Sequence, residues 1–157
     1  MFRRLLILSL GLCGVSGRRG EEPATIPSHI LARYRLPTSQ IERGWVHTNA
    51  VTIIDTEHLE ALNTVLLDDT TLGAANPWGV AVSPGGDWLC IAHSGTHEVS
   101  VIDLPGLHRK LEQAAEGQRV SDVSTAATDV PNDLSFLAGL RKRVRLDGKI
   151  GDRFWCA

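Results

Sequence analysis

The sequence predicts a mainly all-β protein made of repeated antiparallel sheets. Three observations lead to this prediction: short β-branched and apolar runs, turn residues between them, and the return of one strand pattern further along the chain. The chain has 157 residues, of which 43% are hydrophobic and 22% are charged, as in an ordinary globular domain. The formal net charge of −2 gives no electrostatic reason to expect nucleic acid as a partner.

Residues 1–17 have the pattern of a signal peptide. Arg3 and Arg4 form a basic start, and the apolar run that follows, residues 5–15, is too short to span a bilayer. We therefore predict export to the periplasm or the extracellular space, with no spanning membrane segment once the signal is removed. An uncleaved anchor or a buried N-terminal strand would fit the same pattern. The proline-containing stretch that follows, residues 18–44, is expected to be an irregular leading segment.

One strand pattern occurs twice. The segment from Ala50 to Asp55 is β-branched and apolar and ends in an aspartate, and Glu98 to Asp103 repeats the pattern 48 residues later. At that offset six of the eight positions from Thr48 onward are identical or conservatively changed. Such a period, with several short strands inside it, predicts four-stranded antiparallel blades of a β-propeller, and about two blades fit in this chain.

The second repeat shows its strands most clearly. An apolar run at residues 79–82 leads through turn residues into a second strand at residues 88–92, and another turn leads into the strand at residues 99–103, giving an antiparallel meander. Alternation along these strands predicts one buried layer, with Ser100 on a more exposed face. The six side chains expected in that layer are those of Val80, Val82, Leu89, Ile91, Val99 and Val101.

A fourth strand is expected to complete each unit. In the first unit it falls at residues 63–67, and in the second it is displaced to residues 143–146 by an insertion at residues 104–140. The insertion is expected to hold one short surface helix at residues 107–116. A second short helix is expected after Pro131, where Leu134, Leu137 and Leu140 recur at helical spacing.

The resulting domain is a partial propeller at residues 45–148. The last residues, 149–157, do not continue the blade pattern and are expected to form an irregular tail, as in a truncated or frameshifted gene product. Cys90 and Cys156 remain after removal of the signal. A disulfide between them is allowed in an oxidising compartment but is not required, because Cys90 lies in an apolar strand where a free thiol is common.

A motif made of Pro77, the run from Gly79 to Pro84, Gly86 and the strand that ends at Asp103 resembles the blade repeat of a known family. This family is the YVTN-type β-propeller repeat proteins, which are exported bacterial proteins. The resemblance assigns structural roles to Pro77, Gly79, Pro84, Gly86, Asp55 and Asp103. The namesake tetrapeptide is replaced by residues 90–93. Some longer relatives carry a C-terminal domain similar to dihaem cytochrome c peroxidases. This chain contains no Cys-x-x-Cys-His motif, so we expect it to bind no haem or other cofactor itself.

Histidines are the most evident candidates for chemistry. His93 and His97 flank a tight turn, with Glu98 beside them, and this set could converge on a metal ion. Turn residues are also polar for purely structural reasons, and no third ligand follows at a suitable spacing. We find no complete catalytic or metal site and do not expect the chain alone to be an enzyme.

Charged residues elsewhere have competing interpretations. The pair Asp68 and Asp69 could act as an acid and a base, but aspartates at strand ends more often accept backbone hydrogen bonds in turns. The basic cluster at residues 141–145 could bind an acidic partner. Because Arg143 and Arg145 alternate with apolar residues, a solvated strand face is the favoured interpretation.

Two functions are compatible with this sequence. The first is a non-catalytic binding or scaffold module of the cell envelope, with a protein or an envelope component as its partner. The second is the propeller part of a haem-dependent peroxidase or electron-transfer protein whose cytochrome c domain is missing from this chain. In both cases two blades leave apolar faces half covered, so we expect completion by further blades or by self-association.

Overall fold

The computed structural model describes residues 24–32 and 47–147. The predicted signal peptide and tail lie outside the described residues, as does Cys156. The described residues form two antiparallel sheets, one α-helix and one 3-10 helix. The prediction of a mainly all-β fold with antiparallel, blade-like sheets is therefore confirmed.

Sheet 1 is built around a long central strand. Its strands are β1 (Ala24–Thr25), β2 (Ser28–Ala32), β3 (His47–Asp55) and β4 (Glu60–Leu66). β3 pairs with β4 on one edge, and β2 and β1 follow each other along its other edge. The expectation that residues 18–44 are irregular is therefore wrong for residues 24–25 and 28–32. Pairing with β3 overrides the local effect of Pro27, whose carbonyl accepts a hydrogen bond from Thr52 N at 3.1 Å.

Sheet 2 is a four-stranded antiparallel meander. Its strands, in spatial order, are β5 (Pro77–Val82), β6 (Trp88–His93), β7 (Glu98–Asp103) and β8 (Arg141–Arg145). The insertion separates β7 from β8 in the chain, yet the two strands pair directly. The fourth strand thus begins two residues before the predicted position.

The third strand of sheet 2 buries the face opposite to the one predicted. Ser100 and Ile102 have no exposed surface, whereas Val99 and Val101 are only half buried. The reason is register: Ser100 lies opposite the buried Ile91, and residues opposite each other in a ladder share a face. Alternation in the sequence shows which residues share a face but not which face is buried. The expected single layer of six side chains is therefore wrong at its third strand.

The two sheets share one apolar core. Val51, Ile53 and Val65 of sheet 1 have no exposed surface and belong to the same cluster as Leu89 and Ile91 of sheet 2. β2 of sheet 1 also contacts β5 of sheet 2. Packing between sheets buries apolar area and is the main source of stability in such an arrangement.

The insertion, residues 104–140, packs on this core beside β4, β6 and β7. Its helix, α1 (Leu104–Ala115), begins at Asp103, whose carboxylate accepts a hydrogen bond from Gly106 N at 3.1 Å. The predicted first helix is thus confirmed, with an earlier start. The predicted second helix is wrong: a 3-10 helix (Val130–Asn132) and turns occupy that region, and Phe136 inserts into the shared core. None of the helices in the described residues has the length and apolarity needed to cross a membrane.

Candidate functional site

His93 occupies the end of β6 and lies inside the protein. It has no exposed surface, and its Nε2 lies 2.8 Å from the hydroxyl of Ser100. Burial, together with the positive charges of Arg143 and Arg141, lowers the pKa of His93 to about 4. The imidazole is therefore neutral at physiological pH, in a position suited to packing and hydrogen bonding.

Glu98 lies opposite His93 in the ladder, but the structure does not bring His93, His97 and Glu98 together as a three-ligand group. His97 has a left-handed backbone with φ of 54°, and its carbonyl accepts a hydrogen bond from Leu146 N at 2.9 Å. Burial opposes ionisation of Glu98, but the hydrogen bonds and charge of Arg143 outweigh this effect and lower the pKa of the carboxyl. Glu98 is thus an ion-pair partner of an arginine.

A different group is the one candidate for three-ligand metal binding among the described residues. It consists of Asp55, Glu57 and His58 in the turn between β3 and β4, with ligand atoms within 4.8 Å of one another. The carboxylate of Asp55 accepts backbone hydrogen bonds from Glu57 N at 2.9 Å and His58 N at 3.3 Å. The imidazole of His58 lies 3.0 Å from the same carboxylate, and this contact is the largest factor lowering the pKa of Asp55. These contacts give Asp55 the turn-stabilising role expected of a strand-end aspartate.

Arg141 and Arg143 of β8 form a buried ion-pair cluster, so the solvated-face interpretation is wrong for Arg143. The side chains of Arg141 and Arg143 are only 4% and 10% exposed. Both form ion pairs with Asp69, and Arg143 also pairs with Glu98. Lys142, Val144 and Arg145 are the exposed residues of this strand, so the predicted alternation is wrong at Arg143 and Val144 and holds at Arg145.

This cluster ties β8 to the segment that joins the two sheets, residues 67–76. Arg141 donates to the carbonyl of Leu67, and Arg143 donates to those of Leu72, at 3.0 Å, and Gly73, at 2.6 Å. Arg143 thereby donates from all three of its guanidinium nitrogens, and Arg141 from two, to backbone oxygens and carboxylates. The cluster positions the two sheets relative to each other.

Asp68, which belongs to the same segment, anchors it to β3. Its carboxylate accepts hydrogen bonds from the backbone and the side-chain amide of Asn49, at 2.7 and 3.0 Å, and from Ala74 N at 2.6 Å. With three donors at one buried carboxylate, the structural role of Asp68 accounts for its burial.

The blade-motif residues lie at the turns and edges of sheet 2. Pro77 and Gly79 flank an irregularity in the pairing of β5 with β6, where Trp78 is 69% exposed. Pro84 and Gly86 lie in the turn between β5 and β6, where Gly86 has a φ of 77°, a conformation that favours glycine.

The insertion carries a second buried polar group and, beside it, a shallow and open cavity of about 540 Å³. Asp133 accepts hydrogen bonds from the hydroxyls of Ser121, Ser124 and Ser135. Burial opposes ionisation of Asp133, but these hydrogen bonds outweigh it and lower the pKa of the carboxyl. Lys110 donates to the carbonyl of Phe136 at 2.6 Å and lies over its ring. The polar groups around this cavity therefore hold the loops of the insertion together.

The face of sheet 2 turned away from sheet 1 carries several apolar side chains that are partly exposed. Along each strand, the side chains on this face alternate with those that face the core. On β8 they are the charged Lys142 and the apolar Val144. We define the outer face by six residues, all at least partly exposed: Ala81, Trp88, Cys90, Val99, Val101 and Val144. Trp88 is 49% exposed and Val144 47%. Such a face is suited to packing against another protein surface.

Comparison with known proteins connects the chain to one enzyme complex. No family model matches the sequence. Over 77 residues, 49% of this chain, the sequence is 36% identical to hydrazine synthase subunit beta of Kuenenia stuttgartiensis. The solved structure of hydrazine synthase from that organism matches with a TM-score of 0.56 and 28% identity, over 76% of this chain. The matched regions are 20% of the subunit and 32% of the chain in the structure, so this chain corresponds to a limited part of each.

Proposed function

We propose that this chain is a non-catalytic β-propeller module of an exported assembly, in which its sheets pack against other protein subunits. The observation that carries the proposal is the outer face of sheet 2, an apolar surface on a sheet whose other face is already packed. Homology to a protein described as a subunit supports the same role. We therefore expect this chain to bind other proteins rather than small-molecule substrates.

The kind of propeller is part of this proposal. The YVTN-type resemblance rests on the motif from Pro77 to Gly86 and on the strand that ends at Asp103. In the structure these residues form the strands and turn of sheet 2, which is what a blade of that family requires. A cell-envelope role and periplasmic or extracellular localisation follow from the N-terminal pattern of the sequence.

The second candidate function is the propeller part of a haem-dependent peroxidase or electron-transfer protein. The resemblance to repeat proteins with a dihaem domain favours it, and so does the match to a subunit of a synthase. In this candidate too, the residues of this chain would supply binding surface, and the reaction would take place on another domain or subunit.

Purification from the native host tests the proposed function. A tagged chain, recovered under non-denaturing conditions from the periplasmic fraction, should migrate in an assembly larger than its own oligomer, with defined partner subunits at constant stoichiometry. A variant with Val144→Lys should lose those subunits, whereas Val123→Lys, at a valine of similar exposure outside the outer face, should retain them. Recovery of the tagged chain only in the cytoplasm, or without companions, would contradict the proposal.

A haem measurement separates the two candidates. The purified chain should show no Soret absorption band and no peroxidase activity, whereas the second candidate requires a haem-containing companion in the native assembly. A Soret band that stays with this chain through denaturing electrophoresis would contradict the expectation that it binds no haem.

A further inference from the structure

The imidazole of His93 lies against the segment that joins the two sheets, residues 67–76, which we call the joining segment. His93 has no exposed surface, its Nε2 lies 2.8 Å from the hydroxyl of Ser100, and the backbone of Ala74 lies beside the ring. Among the described residues, its Nδ1 has no well-aligned hydrogen-bond partner. Because both nitrogens of an imidazolium are donors, a proton taken up here would leave a buried donor without a good acceptor.

The charges around this end of β6 also oppose a proton on His93. Arg143 and Arg141 both lower the pKa of His93, and Glu98, which opposes their effect, is itself paired with Arg143. An imidazolium would therefore be a third positive charge beside two buried guanidinium groups. The charged and titratable groups on the elements packed here are Glu98 of β7, His97 of the preceding turn, Arg141 and Arg143 of β8, and Asp68 and Asp69 of the joining segment.

The joining segment is held mainly by polar contacts at its middle and its end. Residues 70–73 are exposed, and the arginines of β8 donate hydrogen bonds to carbonyls of the segment. At its end, Ser94 N donates to the carbonyl of Asn76 at 3.0 Å, and Gly95 N donates to that of Ala75 at 3.1 Å. Segments with many exposed hydrogen bonds and little apolar burial open at a lower free energy than the whole domain.

We propose that the joining segment is a pH-sensitive latch, which closes over the neutral imidazole of His93 and opens when that imidazole takes up a proton. Opening withdraws Ala74, a single methyl group, from the core and gives Nδ1 access to water. It also releases the contacts that tie sheet 1 to sheet 2. The latch goes beyond the proposed function, because it does not depend on which partners the chain binds.

The direction of the pH effect follows from the two forms of the latch. The pKa of His93 is about 4 in the closed form and should approach the ordinary 6.5 in the open, hydrated form. The open form therefore binds a proton that the closed form excludes, and the ratio of open to closed should rise roughly 30-fold from pH 7.5 to pH 5.0. Glu98 has a lowered pKa and remains ionised in this range, so the change is assigned to His93.

Hydrogen exchange of the full chain, measured amide by amide, tests the latch. The reporters are the amides of Ser94 and Gly95, which donate to the joining segment, and the comparison is with amides in the ladder between β6 and β7. In urea up to about 1 M the reporters should keep their protection while the ladder amides lose theirs. Corrected for intrinsic exchange rates, protection of the reporters should fall roughly 30-fold from pH 7.5 to pH 5.0. Reporters that share the urea dependence of the ladder at both pH values would overturn the proposal.

His93→Gln assigns the pH effect to one side chain. Glutamine can still hydrogen bond to Ser100, so the reporters should stay protected at pH 7.5 and change by less than about twofold at pH 5.0. The matched control is His108→Gln, which removes a half-buried histidine of α1 whose pKa is also lowered by burial. This control should keep the roughly 30-fold change. A change that persists in His93→Gln, or that disappears in His108→Gln, would contradict the assignment.

Gly95→Ala opens the latch without removing the histidine. A Cβ at Gly95 would lie 2.8 Å from the Cβ of Ala75, too close for the joining segment to stay in place. The reporters should lose at least roughly tenfold in protection at pH 7.5, and NMR titration should show the pKa of His93 raised from about 4 towards 6.5. Gly73→Ala, whose Cβ would meet Oδ1 of Asp68 at an ordinary 3.8 Å, should change neither. Lost protection in Gly95→Ala with an unchanged pKa of His93 would overturn the proposal, because opening would then not hydrate the imidazole.

Discussion

β3 and β7 share a sequence pattern but bury opposite faces. Ile53 in β3 and Ile102 in β7 have no exposed surface, yet the repeat aligns Ile53 with Val101 and Ile54 with Ile102. Both partners of the buried residues, Val101 and Ile54, are only half buried. The difference arises because each sheet buries the face that meets the other. A repeat therefore predicts which strands are equivalent, and the position in the stack decides which face is covered.

Aspartate substitutions in the two strands should give the largest effects. Ile102→Asp and Ile53→Asp bury an unpaired charge and should each cost about 4 kcal/mol or more, enough to prevent folding of a marginally stable domain. Val101→Asp should cost about 1–2 kcal/mol, because its side chain can reach solvent. Urea unfolding followed by circular dichroism measures these values. Equal losses in the free energy of unfolding from Ile102→Asp and Val101→Asp would show that both faces of β7 are covered.

The buried ion pairs distinguish sheet 2 from sheet 1. Arg143→Met removes the partner of Glu98 and one partner of Asp69, and leaving these carboxylates uncompensated should cost about 3 kcal/mol. Arg145→Met, two residues along the same strand but exposed, should cost less than about 0.5 kcal/mol. Chemical unfolding of the two variants, side by side, measures the difference. Similar losses in the free energy of unfolding would mean that the ion-pair cluster contributes no more to stability than a solvated charge does.

Much of this fold could be predicted from the sequence because strands and turns are local. Turn residues and β-branched runs located β5 to β7, and short strand patterns at residues 63–67 and 143–146 located the fourth strands to within three residues. Two predictions about the fold were wrong for the same reason. The strands at residues 24–32 and the buried arginines of β8 depend on pairing and packing with distant parts of the chain, which local pattern does not contain.

The candidate site was less predictable than the fold. His93 and His97 were evident from their positions at a turn, but the environment of His93 depends on Ser100 and Arg143, which come from other strands. One signal was present in the sequence. A strand that alternates arginine with valine fits a solvated face and an inverted, ion-paired face equally well, and Asp69 near the end of β4 was the available partner.

The neutral His93 makes stability depend on pH in a defined window. Its pKa is about 4 in the folded protein against an ordinary 6.5, so between these values the unfolded chain binds a proton that the folded protein excludes. The free energy of unfolding should therefore fall as the pH is lowered from 6.5 towards 4, by up to about 3 kcal/mol. Burial also lowers the pKa of His108, which adds to the loss in the same direction.

Unfolding measured at several pH values, with His93→Gln as the comparison, tests this dependence. Glutamine can still hydrogen bond to Ser100 but does not titrate, so the slope of stability against pH should be reduced. His108→Gln should reduce it less, since His108 has no charged arginine lowering its pKa. A wild-type slope unchanged by His93→Gln would place the titrating group elsewhere.

The smallest expected effect compares the outer faces of the two sheets. In sheet 1, the hydroxyl of Thr52 lies 2.8 Å from both the imidazole of His29 and the hydroxyl of Thr64. Thr52→Val keeps the shape but removes both hydrogen bonds, and should cost about 1–2 kcal/mol. In sheet 2, Val99→Thr adds a hydroxyl to a half-buried apolar face that offers access to solvent, and should cost about 0.5 kcal/mol in the monomer. Unfolding at low protein concentration, where self-association does not contribute, measures both values. If Val99→Thr proved the more damaging of the two, the outer face of sheet 2 would have to be covered within the monomer.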